Sequence, residues 1–406
     1  MKDVPEELNE IVDAVLSYRP ESKNKKGVFM PFDHKHFVPI LKGKQGEFTA
    51  LGNITSTEQI AQFTPLIEVP PIPLTYYPGQ DHGVTAKTID EHIVGCAANL
   101  ADAVKHLPCV FIDGVYVESE DDLQDGSSPI DTVFRVLREK GIPFVPVIGL
   151  DRVVDYADSV SIAMNLDGRG CCLRLFEADT DAVSTTLGAQ ISGLLNAIAV
   201  EPNQVDLLID FGPKVPQKGT LPLLINAVPF LDEWRTVTLA SSSFPPDMGE
   251  VARNSVKQME REEWTTWNSL RVNPTVKRIP SYGDYGINHP VLTEYNPLTM
   301  SMSPNIRYTD VSEYVIAKGQ AQPRKKWADG DPAKEKIRAQ LAPSVQYPKL
   351  AAIIKSHAAW KGKKFSWGDA FIDKCSNKEC GNATVWRAVG MNHHIALVVQ
   401  QIATLP

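Results

Sequence analysis

Five ionisable residues stand where apolar surroundings disfavour charge. Lys42 follows the run FVPIL, Glu68 closes TPLIE, Asp113 closes VFID, Arg174 lies inside CCLRLF and Asp210 closes VDLLID. A charge in such a setting is costly unless it is paired, so these groups are expected to meet one another or a ligand. On the functional reading, Lys42, Lys44 and Arg174 recognise an anion. Glu68, Asp113 and Asp210 then act as catalytic acids and bases, or hold a hard cation such as Mg²⁺. The carboxylate spacing matches no metal motif. The bland reading is a structural network of ion pairs, and both stay open at the level of sequence.

Other polar residues follow further apolar runs. In LASSSFPPDM, Ser242 and Ser243 would cradle a phosphate at the start of a helix, or form an ordinary turn with Asp247 as N-cap. SYGDYGINHP sets Asp284 and Tyr285 between Gly283 and Gly286, as a binding loop with aromatic walls or a turn with core tyrosines. Arg307, in SPNIRYTD, adds a cation. Near the end of the chain, Cys375-x4-Cys380 precedes His393-His394. Adjacent histidines do not easily ligate one ion together, which argues against zinc. Reading Asn392 as an N-cap puts His393 and His394 in the first turn of the last helix, where the helix dipole favours neutral rings. If that helix is the eighth of a barrel, the two histidines border its mouth as ligand contacts. No nucleophile elbow, Walker A loop, HExxH or kinase signature occurs.

The elements that must position these residues follow a rhythm. Eight short apolar runs, at 37–43, 63–69, 109–115, 144–150, 171–177, 205–211, 236–244 and 276–285, are separated by segments of mostly helical periodicity. Continuous apolar strands fit a parallel sheet buried on both faces. Eight of them predict an α/β fold of the TIM type, a (β/α)8 barrel, whose chemistry sits at the carboxyl ends of the strands. A doubly wound sheet is the alternative, but the Gly-rich turn it usually carries after strand 1 is missing. The predicted organisation is a short N-terminal helix and linker over 1–26, the barrel over 27–290, and an irregular C-terminal extension over 291–406 that includes a barrel-closing helix. The stretch 248–270 reads as one helix. Two more are expected at 347–360 and 392–402, with an ordered loop between them.

Composition narrows the function classes. The 406 residues carry a net charge of -8 and are 43% hydrophobic, as in a globular protein with a large core. Extended duplex nucleic acid is a poor match for that charge. The N-terminal stretch lacks the apolar core of a secretory signal, and no run is long enough to span a membrane. The six cysteines are scattered through mostly apolar segments and read as reduced thiols of a cytoplasmic protein.

The ordered set FVPILKGKQGEFTAL, TPLIEV, LRL, LLIDFG, SSSFP, GDYG, NIRY, FSWGD and NHHI resembles the Beta protein family, from about residue 37 to the end. The family is named after a gene of a satellite phage and occurs in bacteria and prophages. The resemblance implies a TIM-type barrel and a setting in defence against phage. A partner protein from the same operon, or a phage component, would accompany it. It carries over no reaction and no catalytic residue. The motif positions Lys42, Glu68, Arg174, Asp210, Ser243, Asp284, Tyr285, Arg307 and Trp367 gain only a family-level reason for attention. The resulting expectation is a defence component with a barrel-mouth site for a phosphorylated ligand and a hydrolytic reaction; the alternative is a scaffold that binds a partner without catalysis.

Overall fold

The computed structural model describes residues 31–78, 82–180, 185–293, 296–376 and 380–406; the expected N-terminal helix and linker lie outside them. Pro31–Pro406 forms one compact unit.

Seven barrel strands run through the first part of the chain: β1 (Phe37–Leu41), β2 (Leu66–Glu68), β3 (Val110–Asp113), β4 (Phe144–Ile148), β5 (Cys171–Phe176), β6 (Val205–Asp210) and β7 (Thr236–Ala240). After β8 (Ser255–Glu260), β9 (Ser281–Asp284) joins them. The strands β1 to β7 and β9 close into an all-parallel barrel, with β9 hydrogen-bonded between β7 and β1. Every expected apolar run supplies one barrel strand. β3, β4, β6 and β7 are buried along their whole length, as a sheet covered on both faces requires. Register aligns the strand ends, pairing Glu68 with Asp113 and Phe176 with Asp210.

Helices between the strands form for local reasons. The helix Pro129–Glu139 starts at Ser128, whose side chain accepts from the Asp131 N–H, and Pro129 fits the first turn. Ile130, Val133, Phe134 and Leu137 give it one buried face at helical spacing.

Four expectations are corrected. The segment 248–270 is not one helix: β8 precedes a helix at Glu262–Arg271. Residues 255–260 (SVKQME) include good helix formers, but pairing with a distant strand overrides that propensity. The irregular region also holds β10 (Asn305–Thr309) and β11 (Glu313–Lys318), which form an antiparallel sheet in the order β8-β11-β10. Finally, the stretch expected as a loop before the last helix contains a helix at Trp367–Cys375 and the start of the last helix itself. Cys375 and Cys380 are joined as a disulfide rather than standing as reduced thiols. Their Cα atoms are 5.0 Å apart across a five-residue separation, within bridging range.

The last helix, which we call α1, spans 21 residues, Ala383–Ala403. Its N-cap is Asn382, which accepts from the Val385 N–H at 3.2 Å. Asn392 is no cap. It is buried in mid-helix, accepting from the Gly368 N–H at 2.9 Å and donating to the Ala50 carbonyl at 3.0 Å. Met391, Ile395, Val398 and Ile402 pack into the barrel core, so α1 is the helix that completes the barrel after β9. The helix Pro343–Ser356 packs instead with β10 and β11 in a second core containing Ile306, Tyr308, Val315 and Ile354.

Candidate functional site

The five charges picked out in the sequence meet at the carboxyl ends of the barrel strands. Arg174 is the hub. Its Nη1 donates to Asp113 Oδ2 at 2.7 Å, and its Nη2 donates to Glu68 Oε1 at 2.8 Å and Asp210 Oδ2 at 2.6 Å. Nη2 also donates to the Tyr285 hydroxyl at 2.9 Å, which in turn donates to Asp210 Oδ2 at 2.6 Å. Lys42 Nζ lies 2.5 Å from Glu68 Oε2 and 3.0 Å from the Tyr116 hydroxyl. Arg152 pairs with Asp113 Oδ1 at 2.9 Å. Three carboxylates thus face three cations, and Glu68, Asp113, Arg174 and Asp210 are each at most 1% exposed.

Pairing sets the ionisation of the ring. Burial alone would raise the Asp113 carboxyl, but the Arg152 and Arg174 guanidiniums outweigh it and hold the group below its ordinary range. Burial would likewise lower the Lys42 ammonium, and Glu68 and Tyr116 more than compensate. The carboxylates converge on a guanidinium, not on open space, so they do not fit Mg²⁺. Among the described residues, no group of three or more His, Cys, Asp or Glu is arranged to hold a metal.

A second buried network fastens α1 to the barrel. Asp284 Oδ2 accepts from the Tyr282 hydroxyl at 2.8 Å and lies 2.9 Å from His394 Nε2. His394 Nδ1 is 2.9 Å from the Thr309 hydroxyl. His393 sits between Asp369 Oδ2 and the Thr309 carbonyl, each at 2.8 Å. The first-turn placement expected for these histidines is corrected: they lie in mid-helix, fully buried, and are not among the residues lining the cavity beside the ring.

The serine cradle is corrected too. β8, not a helix, follows SSSFPPDM. The Ser243 N–H and hydroxyl donate to Glu263 Oε2 at 3.0 and 2.5 Å, and the Ser242 N–H donates to the Gly212 carbonyl at 2.8 Å.

A cavity of about 380 Å³ lies beside the charged ring and includes Lys42 in its lining. Its cations are Lys42, Lys44, Arg307 and Arg387. Arg307 is anchored by donation to the Ile287 carbonyl at 2.6 Å. Arg387 stands one turn into α1, and its buried Nη1 has no hydrogen-bond partner. Burial pushes its guanidinium down to about 10, against the opposing pull of Glu47. Glu47, the carboxylate of the lining, accepts from the Lys44 N–H at 3.0 Å and Asn288 Nδ2 at 2.8 Å. Burial raises its carboxyl, and the Lys44 hydrogen bond acts against that rise.

Of the expected ligand contacts, Lys42, Lys44 and Arg307 line this cavity. Arg174, Asp113, Asp210, Glu68 and Tyr285 form the ring beside it. Asp284, Ser242, Ser243, His393 and His394 hold other parts of the fold. Sequence reasoning passed over Arg387, although VWRAV carries the same signal as the ring residues, a cation within an apolar run.

Closed parallel strands with helices around them and a polar mouth define a TIM-type (β/α)8 barrel protein. Within that class, the chain belongs to the Beta protein family, whose family model matches residues 37–400. No curated protein matches the sequence. Several solved structures share remote likeness, two of which follow. One, PhdJ bound to a substrate intermediate, is 12% identical with a TM-score of 0.29, covering 83% of this chain and 96% of that one. The other, the N-terminal domain of a putative aldolase from Bacteroides vulgatus, is 7% identical with a TM-score of 0.32, covering 91% and 97%. The barrel assignment rests on the strand order itself. Among the described residues, no helix is long and apolar enough to cross a membrane.

Proposed function

We propose that this barrel binds a small phosphorylated anion in the cavity at its mouth, as a component of a bacterial anti-phage defence system. The observation that carries the binding reading is Arg387: a buried guanidinium nitrogen without a protein partner, in a cavity shared with Lys44 and Arg307. A desolvated, unpaired donor is costly, and an anion that accepts from it removes that cost. The neighbouring ring serves as a rigid floor. Glu68, Asp113 and Asp210 all bond Arg174, which favours recognition over hydrolysis by these carboxylates. The defence setting extends the family resemblance, and a partner protein or phage component would read out the bound state.

Titration with inorganic phosphate and pyrophosphate, followed by calorimetry, tests the binding. Saturable binding is expected. Arg387→Leu is expected to weaken it about 10- to 100-fold, the equivalent of one charge-assisted hydrogen bond. Unchanged affinity in a folded Arg387→Leu protein would refute the site. In a phage-challenge assay, the same variant is expected to lose protection.

A further inference from the structure

The cavity is larger and more apolar than a bare anion needs. Its 380 Å³ is more than ten times the ~30 Å³ that a water molecule takes up in the liquid. It lies in the range of sites that enclose whole organic ligands. Its lining divides by element. Lys44 lies at the start of the helix Gln45–Gly52, Arg387 in the early turns of α1 and Arg307 on β10. The apolar residues Pro246, Val291, Leu292 and Met302 come from the loops after β7 and β9. Val291 is 57% and Met302 55% exposed, so apolar surface stands open at the rim. Asn288 and His289 also line the cavity and supply hydrogen-bonding groups. A free phosphate uses the cations and leaves the apolar wall wet. A ligand with an anionic group and a flat, weakly polar body uses both, and Met side chains adapt well to such a body.

We infer that the ligand is a nucleoside monophosphate unit, its phosphate on Arg387 and Lys44 and its base against Val291, Leu292 and Met302. This rests on the anion-binding reading above. The unit has two sources, a free nucleotide or the phosphorylated end of a single strand, and both present the same chemistry.

The test compares four probes by calorimetry on the full chain: inorganic phosphate, adenosine, adenosine 5′-monophosphate and a short single-stranded oligonucleotide with a 5′-phosphate. The nucleotide is expected to bind at least about tenfold more tightly than either phosphate or adenosine, one decade being ~1.4 kcal/mol. Val291→Ser and Met302→Ser alter exposed side chains and leave the fold intact. Both are expected to lower the ratio of nucleotide to phosphate affinity. Tighter binding of the oligonucleotide than of the free nucleotide supports the inference with a strand end as source, and the reverse order supports it with a free nucleotide. Equal affinities for phosphate and nucleotide overturn the inference while the anion site stands. No binding by any probe overturns both.

Discussion

Arg174 illustrates how a charge becomes tolerable in a barrel interior. One guanidinium serves three carboxylates from three strands, and Lys42, Arg152 and the Gly212 N–H cover the oxygens it does not reach. A buried network of this kind is strongly coupled, so removing its hub leaves several uncompensated charges. Arg174→Met is expected to lower the unfolding free energy by about 3–5 kcal/mol in urea denaturation. A loss below about 1 kcal/mol would mean that the ring is not holding the barrel together. The same groups set an acid limit. Asp113, Asp284 and Asp369 are all held below the ordinary carboxylate range: burial opposes this, and Arg152 and Arg174, His394 and Arg261, and His393 respectively prevail. A depressed carboxyl contributes stability that is complete above its unfolded value, about 3.9, and lost as pH falls through the folded value. Melting temperatures are therefore expected to be flat with respect to these groups above about pH 5 and to drop below pH ~4. Asp113→Asn should shorten that drop, and a wild-type protein equally stable at pH 3 and pH 6 would contradict the account. Lys42, Glu68, Asp113, Arg174 and Asp210 were legible in sequence because charge inside an apolar run is rare. Their partners were not, since the sequence does not say whether a ring of opposite charges closes on itself or opens onto a ligand.

At the scale of elements, the barrel strands could be read, and the last helix could be read except for its start. Each barrel strand is a local apolar run, so its signal survives without knowledge of its neighbours. The start of α1 depends on which asparagine caps it. Asn382 and Asn392 both precede apolar stretches, and only tertiary contacts show that Asn392 bridges Gly368 and Ala50. Asn392→Leu orphans the buried Gly368 N–H, while the Ala50 carbonyl keeps the Asn53 N–H at 3.3 Å, and is expected to cost about 1–3 kcal/mol. Gly390 lies two residues earlier, where an added Cβ would meet the Arg307 carbonyl and Ile287 Cδ1. Gly390→Ala is expected to destabilise by about 1–3 kcal/mol through overpacking, although alanine is the better helix former. A gain in stability would show that β10 does not press on α1 as described. β8 was hidden for the same reason as the cap, since its partner β11 lies more than fifty residues away.

For the whole molecule, the ring, the second network and the C-terminal sheet converge on one consequence. They brace a mouth whose open space lies to one side of the barrel centre, between the start of the helix Gln45–Gly52, the loop after β9 and the early turns of α1. The chain carries a net charge of -8, yet this cavity sets Lys44, Arg307 and Arg387 against Glu47, with Lys42 already paired to Glu68. Local charge opposite in sign to the whole favours capture of a small anion over broad contact with nucleic acid. The central claim is that Arg387 and its neighbours hold a phosphate group. It is tested most directly by calorimetric titration of inorganic phosphate into the wild-type protein and into a folded Arg387→Leu variant. The account predicts saturable binding to the wild type, weakened about 10- to 100-fold in the variant. Equal affinity in the two proteins, or no binding to either, would contradict it.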